Sequence, residues 1–296
     1  MAASAARDLD NIRDFIRWGA SRFAEAELCY GHGTDNPIDE AMALVLHAVS
    51  LEPDVPEELL LARLTAEEKE RILSLFSRRI AQRVPAAYLT GRAWFAGLGF
   101  RIDSRVLVPR SPIAELIDSG FQPWLDPDAV TRVLDVGTGS GCIAIACAVH
   151  LPNARVDAVD ISADALEVAR INVEEHGVQD RVQVFESDGL DSVDGPYDLI
   201  ISNPPYVDAH DMGSLPEEYR HEPAHALAGG EDGLDVVAEL LAHAGENLSE
   251  GGALIVEVGA SRPALTARYR RLPFVWLEFA RGGDNVFLLT ADVLPP

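Results

Sequence analysis

The sequence has little basic charge. Its 24 lysine and arginine residues stand against 48 aspartate and glutamate residues, which gives a formal net charge of −24. Such a surface disfavours free DNA or RNA as a partner, because proteins bind polyanions by neutralising phosphates with lysine and arginine. It suits a basic protein, which it would attract at long range. The acidic excess also fits solubility alone, or a high-salt or GC-rich source.

Cysteine is scarce as well. The three cysteines, Cys29, Cys142 and Cys147, form no disulfide framework, and the last two lie in one apolar helical run. Small buried residues are expected in such a run. There is neither a C-x-x-C pair nor a His/Cys cluster, so we expect no structural zinc and no other metal.

Long hydrophobic runs are also missing. None approaches the ~20 residues that a helix needs to cross a bilayer. The stretch from Met1 to Asp10 has neither the basic region nor the apolar core of a signal peptide. We therefore expect a soluble, cytoplasmic chain with no membrane partner.

Two kinds of periodicity divide the chain. Apolar residues recur at helical spacing over residues 8–83, with cap signals at Asn36-Pro37 and at Thr65 with Glu68. From about residue 128 strand and helix patterns alternate, which predicts a parallel, doubly wound α/β sheet. The strand candidates are 132–136, 155–159, 182–186, 197–202, 252–258, 274–279 and 285–290. The last two flank Arg281-Gly282-Gly283-Asp284 and predict a terminal hairpin, so the final strand should run antiparallel.

A glycine turn follows the first strand of this alternating part. Residues 132–141 read R-V-L-D-V-G-T-G-S-G, and a helical pattern comes next. Glycine tolerates positive φ and lets the backbone approach a nucleotide-like ligand closely. Cys142 stands where the dinucleotide fingerprint would need its last glycine. The turn could also serve only the packing of strand on helix.

Asp160 ends the next strand, where an acid in a doubly wound sheet reaches ribose hydroxyls. It could instead cap the following helix, although Ser162 is as well placed for that.

The motif Asn203-Pro204-Pro205-Tyr206 directly follows the apolar strand 197–202. Two successive prolines remove two backbone donors and stiffen the loop. An amide, a rigid diproline and an aromatic ring at the end of a strand predict a platform for a planar polar group.

With N-P-P-Y in place, the sequence resembles the class I S-adenosylmethionine-dependent methyltransferases that modify amino groups. The resemblance extends to the HemK/PrmC family of protein-glutamine methyltransferases and covers nearly the whole chain, from 85–89 (P-A-A-Y-L) to 283–287 (G-D-N-V-F). Residues 108–115 read V-P-R-S-P-I-A-E, where the release-factor branch has P-R-P-x-T-E. Together with 93–97 (A-W-F-A-G) and 221–223 (H-E-P), this form is similar to the PrmB-type branch. That branch methylates a glutamine of the third protein of the large ribosomal subunit.

The resemblance implies a domain organisation and a cofactor. It implies a small N-terminal all-helical substrate-recognition domain over 1–84 and a β-hairpin linker over 85–112. Residues 113–296 would form the catalytic domain, with a Rossmann-like seven-stranded sheet and an antiparallel last strand. The cofactor is S-adenosyl-L-methionine, and the product is S-adenosyl-L-homocysteine.

The resemblance also implies roles for particular residues. The expected cofactor-binding residues are Asp135, Gly137, Thr138, Gly139, Gly141, Asp160, Ile161, Asp188 and Asn203. Asp135 would reach the ammonium group of the cofactor, directly or through water, and Asp160 both ribose hydroxyls. Asp188 would bond the adenine amino group, or be no more than a turn aspartate before glycine.

The expected catalytic residues are those of the N-P-P-Y motif. Asn203 and the Pro204 carbonyl would accept hydrogen bonds from the substrate amide, while Pro205 and Tyr206 sandwich it. Catalysis would then consist of positioning and aimed dipoles, with no dedicated general base.

Two further features lie outside the motifs. The loop 207–235 is long and polar, and we predict that it frames the substrate rather than binding metal through its histidines. Arg110 either contacts the cofactor carboxylate or the substrate, or pairs with one of the many acids, and we favour the pairing.

Four alternatives compete with the expected glutamine methylation of a basic ribosomal protein, free or in an assembly intermediate. The nearest is methylation of peptide release factors at their GGQ motif, which the 108–115 stretch disfavours. Adenine amino methylation of nucleic acid also uses N-P-P-Y, but the charge opposes it. A non-catalytic binder or a nucleotide-dependent oxidoreductase conflicts with the intact N-P-P-Y and the missing glycine.

Overall fold

A computed structural model describes residues 7–280, 282–283 and 285–295 of the chain. Its contacts divide the protein into two compact units. One unit comprises the chain up to Ala93 together with Pro216–His221, and the other comprises Trp94–Leu215 with Glu222 onwards. Most of the stretch tested for a signal peptide, and Arg281 and Asp284 of the predicted terminal turn, lie outside the described residues.

The first unit is helical. Its helices are α1 Ile12–Glu25, α2 Pro37–Ala48, α3 Ala66–Gln82 and α4 Ala86–Thr90. Both predicted cap signals are confirmed: the Asn36 side chain accepts from two backbone N–H groups of α2, and Thr65 with Glu68 forms a capping box on α3. Phe15, Phe23 and Phe76 are buried in the apolar core that these helices share.

A fully buried arginine lies inside this unit. Nε of Arg79 donates to Glu40 Oε2 at 3.1 Å, Nη1 donates to Glu218 Oε1 at 3.2 Å, and Nη2 donates to the Cys29 carbonyl at 2.8 Å. Glu218 also accepts from the Cys29 N–H at 3.0 Å, and Nε2 of His221 lies 2.8 Å from the Gln82 carbonyl oxygen. These contacts place residues 216–221, the middle of the long loop, in the helical unit.

A two-stranded sheet, β1 Arg92–Phe95 and β2 Leu98–Arg101, forms the predicted hairpin. The large sheet has seven strands in the order β5-β4-β3-β6-β7-β9-β8. They are β3 Arg132–Val136, β4 Arg155–Asp160, β5 Val182–Glu186, β6 Tyr197–Ser202, β7 Leu248–Glu257, β8 Val275–Leu277 and β9 Val286–Thr290. Strand β9 pairs antiparallel with both neighbours, which confirms the predicted fold class and the reversed last strand.

Helices cover both faces of this sheet. The remaining helices are α5 Ile113–Asp118, α6 Cys142–His150, α7 Ala163–Glu175, α8 Ala209–Met212, α9 Asp235–Asn247 and α10 Arg262–Arg268. Helices α5 and α6 contribute to one buried apolar cluster, and α9 and α10 to the other. Cys142 and Cys147 are buried in the first of these clusters, which confirms the prediction from the apolar helical run in the sequence. In the described part of the chain, no helix has both the length and the apolar character that crossing a membrane requires.

Candidate functional site

The carboxyl ends of β3, β4, β5 and β6 surround a cavity of about 340 Å³. Open α/β sheets bind their ligands at this edge. Most of the predicted site residues line the cavity: Gly137, Thr138, Gly139, Asp160, Ile161, Asp188, Asn203, Pro204 and Pro205. Asp135, Gly141 and Tyr206 are not among the lining residues.

The three glycines of the turn differ in what surrounds them. All have positive φ, of 73°, 55° and 80° for Gly137, Gly139 and Gly141. A Cβ on Gly137 or Gly139 would meet no atom within 4 Å, whereas one on Gly141 would lie 3.3 Å from Ala169 Cβ. The first two glycines therefore leave backbone bare at the cavity, and the third allows α6 to pack closely against α7.

Asp160 connects this turn with the next strand. Its carboxylate accepts from the Gly139 N–H and from the Ser162 N–H, both at 2.9 Å. Ser162 caps α7 by accepting from the Ala165 N–H, so Asp160 is not the cap. Burial raises the pKa of Asp160, although its backbone hydrogen bonds oppose this effect. The side chain thus presents a hydrogen-bond acceptor at the cavity wall.

Asp135 lies behind the turn, fully buried. Its Oδ2 accepts from Thr138 Oγ1 at 2.6 Å and from the Ala144 N–H at 3.1 Å, and Oδ1 has no hydrogen-bond partner among the described residues. Burial raises the pKa of Asp135 to about 7. The predicted contact with a ligand ammonium group stays a prediction, because the structure places this carboxylate off the cavity wall.

Asn203 stands at the end of β6. Its Oδ1 is buried and accepts no hydrogen bond from the described part of the chain. The preceding residue holds the strand end in place, because Ser202 Oγ donates to the Val136 carbonyl at 2.8 Å. A buried carbonyl oxygen without a donor costs free energy, so such an atom on a residue that lines the cavity indicates a ligand that donates.

Tyr206 is fixed away from the cavity lining. Its hydroxyl donates to Glu257 Oε1 at 3.2 Å, and its carbonyl accepts from Ser261 Oγ at 2.9 Å. Its ring lies on Gly259, where a Cβ would come within 2.3 Å of the ring carbon Cε2. The predicted sandwich of a substrate amide between Pro205 and Tyr206 therefore stays a prediction.

Arg110 pairs with an acid, as favoured from the sequence. Nη1 and Nη2 bond the two carboxylate oxygens of Glu222 at 2.6 and 2.8 Å, and Glu222 also accepts from the Val108 N–H at 3.1 Å. Arg110 still contributes to the cavity wall. A bidentate pair of this kind fixes the guanidinium plane as well as its position.

Several residues that line the cavity belong to no sequence motif. They belong to the long loop and the start of α9: His225, Ala226, Ala228, Asp235, Val236 and Glu239. Loop length and polarity predicted a functional region, and His225 was among the loop histidines considered as metal ligands, but nothing in the sequence singled out the other five positions. Burial raises the pKa of Glu239, and the nearby Asp188 and Asp191 raise it further. Asp188 is exposed on the wall, and its role as adenine contact or turn residue stays a prediction.

The described residues include one cluster whose ligand atoms lie within 4.8 Å of one another, Asp208, His210 and Asp211. Asp208 caps α8 by accepting from the Asp211 N–H at 2.8 Å, and His210 Nδ1 lies 3.1 Å from Asp211 Oδ1. These contacts are those of a helix cap and an exposed ion pair, and the expectation of no metal stays a prediction.

Comparison with known proteins bears on this site. Residues 118–267 match the protein family described as "Methyltransferase small domain". A protein of Neisseria gonorrhoeae named ribosomal protein uL3 glutamine methyltransferase is 50% identical over 99% of each chain. A protein of Bordetella pertussis with the same name is 50% identical over 97% of each chain. A methyltransferase crystal structure from Pyrococcus furiosus covers 73% of this chain and 98% of its own, with a TM-score of 0.50 and 21% identity, and supports the fold.

Proposed function

The chain belongs to the family of the ribosomal protein uL3 glutamine methyltransferases, and from this membership we propose that it methylates the side-chain amide nitrogen of a glutamine in uL3. The methyl donor is S-adenosyl-L-methionine. The observation that carries the proposal is the Asn203 carboxamide: Asn203 lines the cavity, and its buried Oδ1 accepts no hydrogen bond from the described residues. A glutamine amide supplies two N–H donors.

The cavity fits the methyl donor. Gly137 and Gly139 leave open backbone on which its methionyl part can lie. Asp160 offers acceptors for two ribose hydroxyls, and Asp188 offers one for an exocyclic amine at the end of β5. When bound, the donor supplies a methyl group on a sulfonium, a leaving group that needs no metal.

The protein's contribution to the reaction is to orient the amide. An amide nitrogen is a poor nucleophile because its lone pair is delocalised into the carbonyl. Asn203 Oδ1 and the Pro204 carbonyl accept from the two amide N–H groups, which favours a pyramidal nitrogen. The diproline keeps these two acceptors in a fixed relation, because proline fixes φ. Positioning and fixed dipoles of this kind lower the barrier without a general base, and the nitrogen releases its surplus proton to water after the N–C bond has formed.

The partner we propose is a basic protein, uL3 either free or within an assembly intermediate, which the protein meets in the cytoplasm. The net charge of −24 supports this partner through long-range attraction and disfavours DNA. We assign substrate recognition to the helical part, residues 1–84, methyl transfer to residues 113–296, and substrate framing to the loop 207–235.

Asp160→Ala is expected to weaken S-adenosyl-L-methionine binding roughly 10- to 100-fold, because about 1.5–3 kcal/mol is lost with hydrogen bonds to a charged acceptor. The variant also loses the acceptor of the Gly139 N–H, so the glycine turn loosens. Isothermal titration calorimetry measures the effect. Asp164→Ala, an exposed aspartate in the first turn of the following helix, is the matched control. Equal affinities of the two variants would remove Asp160 from the proposed binding set.

The substrate is tested with purified protein, methyl-labelled S-adenosyl-L-methionine and two acceptors. One acceptor is uL3, as free protein and in early assembly particles, and the other is a class I release factor. We expect a single methyl group on one glutamine of uL3, located by mass spectrometry, and an unlabelled release factor. Label on the release factor alone would replace the proposed substrate with that of the sister branch.

A further inference from the structure

Glu257 is a buried carboxylate to which the proposed mechanism gives no role. It is the last residue of β7, and 7% of its surface is exposed. Its two oxygens accept from two hydroxyls: Oε2 from Ser111 Oγ at 2.6 Å and Oε1 from Tyr206 Oη at 3.2 Å. Burial raises the pKa of Glu257, while these two hydrogen bonds and the charge of Arg110 oppose the rise.

One oxygen of Glu257 holds Tyr206, the last residue of the N-P-P-Y motif. The Tyr206 ring lies on Gly259, and its carbonyl accepts from Ser261, so the end of β7 and the turn after it hold Tyr206 at three points. Tyr206 does not line the cavity, whereas Asn203, Pro204 and Pro205 do. The contacts of Tyr206 therefore affect the cavity wall only through the backbone that joins Tyr206 to Asn203.

The diproline makes that transmission effective. Because both prolines have fixed φ, the four-residue segment has few soft torsions between Tyr206 and Asn203. A change in the position of the tyrosine is thus passed to the Asn203 carboxamide rather than absorbed in between.

The other oxygen of Glu257 holds the segment that precedes α5. Ser111 donates to Glu257 and accepts from the Ile113 N–H at 3.1 Å, which fixes the entry to α5. The neighbouring Arg110 is held by Glu222 and lines the cavity. One carboxylate therefore connects Ser111, which lines the cavity, with Tyr206, which directly follows the lining residues Asn203, Pro204 and Pro205. Ser111 and Tyr206 lie 95 positions apart in the sequence.

We propose that Glu257 is a positioning residue for methyl transfer: it fixes the Tyr206 hydroxyl and, through the diproline, the direction of the Asn203 carboxamide. The inference rests on the proposed function, because its main readout is turnover with uL3. It predicts a defect in kcat and none in cofactor affinity, since no part of Glu257 lines the cavity.

The test is a double-mutant cycle of Glu257→Leu, Tyr206→Phe and the double variant, with Glu257→Gln as the conservative change. We expect Glu257→Leu and Tyr206→Phe each to lower kcat about 10-fold, because both remove the hydrogen bond from the Tyr206 hydroxyl to the Glu257 carboxylate. Glu257→Leu also removes the hydrogen bond from Ser111. The double variant should lose little more than either single variant, since both remove the same contact. Gln keeps one acceptor and should recover part of the rate. Affinity for S-adenosyl-L-methionine should not change.

Glu250→Leu, an exposed glutamate on the same strand, is the control and should keep the parent rate. A folded Glu257→Leu variant with the parent kcat, or additive losses in the cycle, would overturn the inference. If Glu257→Leu does not fold, the same cycle is run with Glu257→Gln, and additive losses again overturn it.

Hydrogen exchange keeps this inference separate from the proposed function. If Glu257 positions the motif, amide hydrogen exchange at the N–H groups within 203–207, those of Asn203, Tyr206 and Val207, should accelerate in Glu257→Gln and not in Glu250→Gln, whatever the substrate is. A parent protein that leaves uL3 unmethylated, with this exchange difference intact, would contradict the proposed substrate and leave the positioning role supported. Unchanged exchange at 203–207 would contradict the positioning role even if uL3 is methylated.

Discussion

Asn203→Ala should lower kcat by about two to three orders of magnitude, the effect of removing one preorganised group from a charge-stabilising site. The buried Oδ1 of Asn203 has no partner among the described residues, and we propose that it accepts from the substrate amide. Alanine leaves the amide nitrogen with the Pro204 carbonyl alone, and the nitrogen loses the geometry that favours attack. S-adenosyl-L-methionine affinity should change little, because the glycine turn and Asp160 are untouched.

The measurement combines steady-state methylation of uL3 with calorimetric titration of the cofactor on the same preparation. Asn153→Ala is the control: Asn153 is exposed, and its amide donates to the Asp128 carbonyl at 3.1 Å. Equal fractional losses of turnover and cofactor affinity in Asn203→Ala would contradict the assignment of Asn203 to the transfer step. They would make it a residue of the cofactor site.

Local signals in the sequence predicted most of the fold. A capping box such as that of Thr65 and Glu68 is contained within four residues, so its pattern survives in the sequence. The strands that flank the cavity are rich in apolar residues because both faces of the sheet are covered, and two of their ends are marked by Asp160 and Asn203. The parallel arrangement brings such ends together, so these two residues could be assigned to one site.

What the sequence could not predict depends on contacts between distant segments. Glu218 enters the helical unit to meet Arg79, 139 positions away, and no periodic pattern records such a pairing. The same is true of Glu257, which accepts from Tyr206 across 51 positions. Asp135 was predicted to contact a ligand because it is a carboxylate at the end of a strand. Its burial could not be predicted, because it depends on how α6 packs over the carboxylate.

Arg79→Ala should lower the free energy of unfolding by about 3–5 kcal/mol, the usual cost of removing one partner from a buried ion pair. Glu40 and Glu218 would both remain buried, and neither would keep a hydrogen bond from the Arg79 guanidinium. Already in the parent protein burial raises the pKa of Glu40 although Arg79 opposes the rise. Urea unfolding measures the loss, with Arg78→Ala, the exposed neighbour on α3, as control.

The stability lost in Arg79→Ala should also depend on pH, and its direction follows from the pKa values of Glu40 and Glu218. Burial opposes ionisation of Glu218, yet hydrogen bonds from the Cys29 N–H and Arg79 hold its pKa below its usual range. Without Arg79 the folded-state pKa of Glu40 rises further above its usual value, and that of Glu218 rises from its lowered value. Loss of Arg79 therefore costs the fold most where both carboxyl groups are ionised, and the cost falls as pH falls and Glu40 takes up its proton. The difference in free energy of unfolding between Arg79→Ala and the parent should therefore become smaller as pH is lowered from 7.5 towards 5. A difference that becomes larger would contradict the assigned ion pairs.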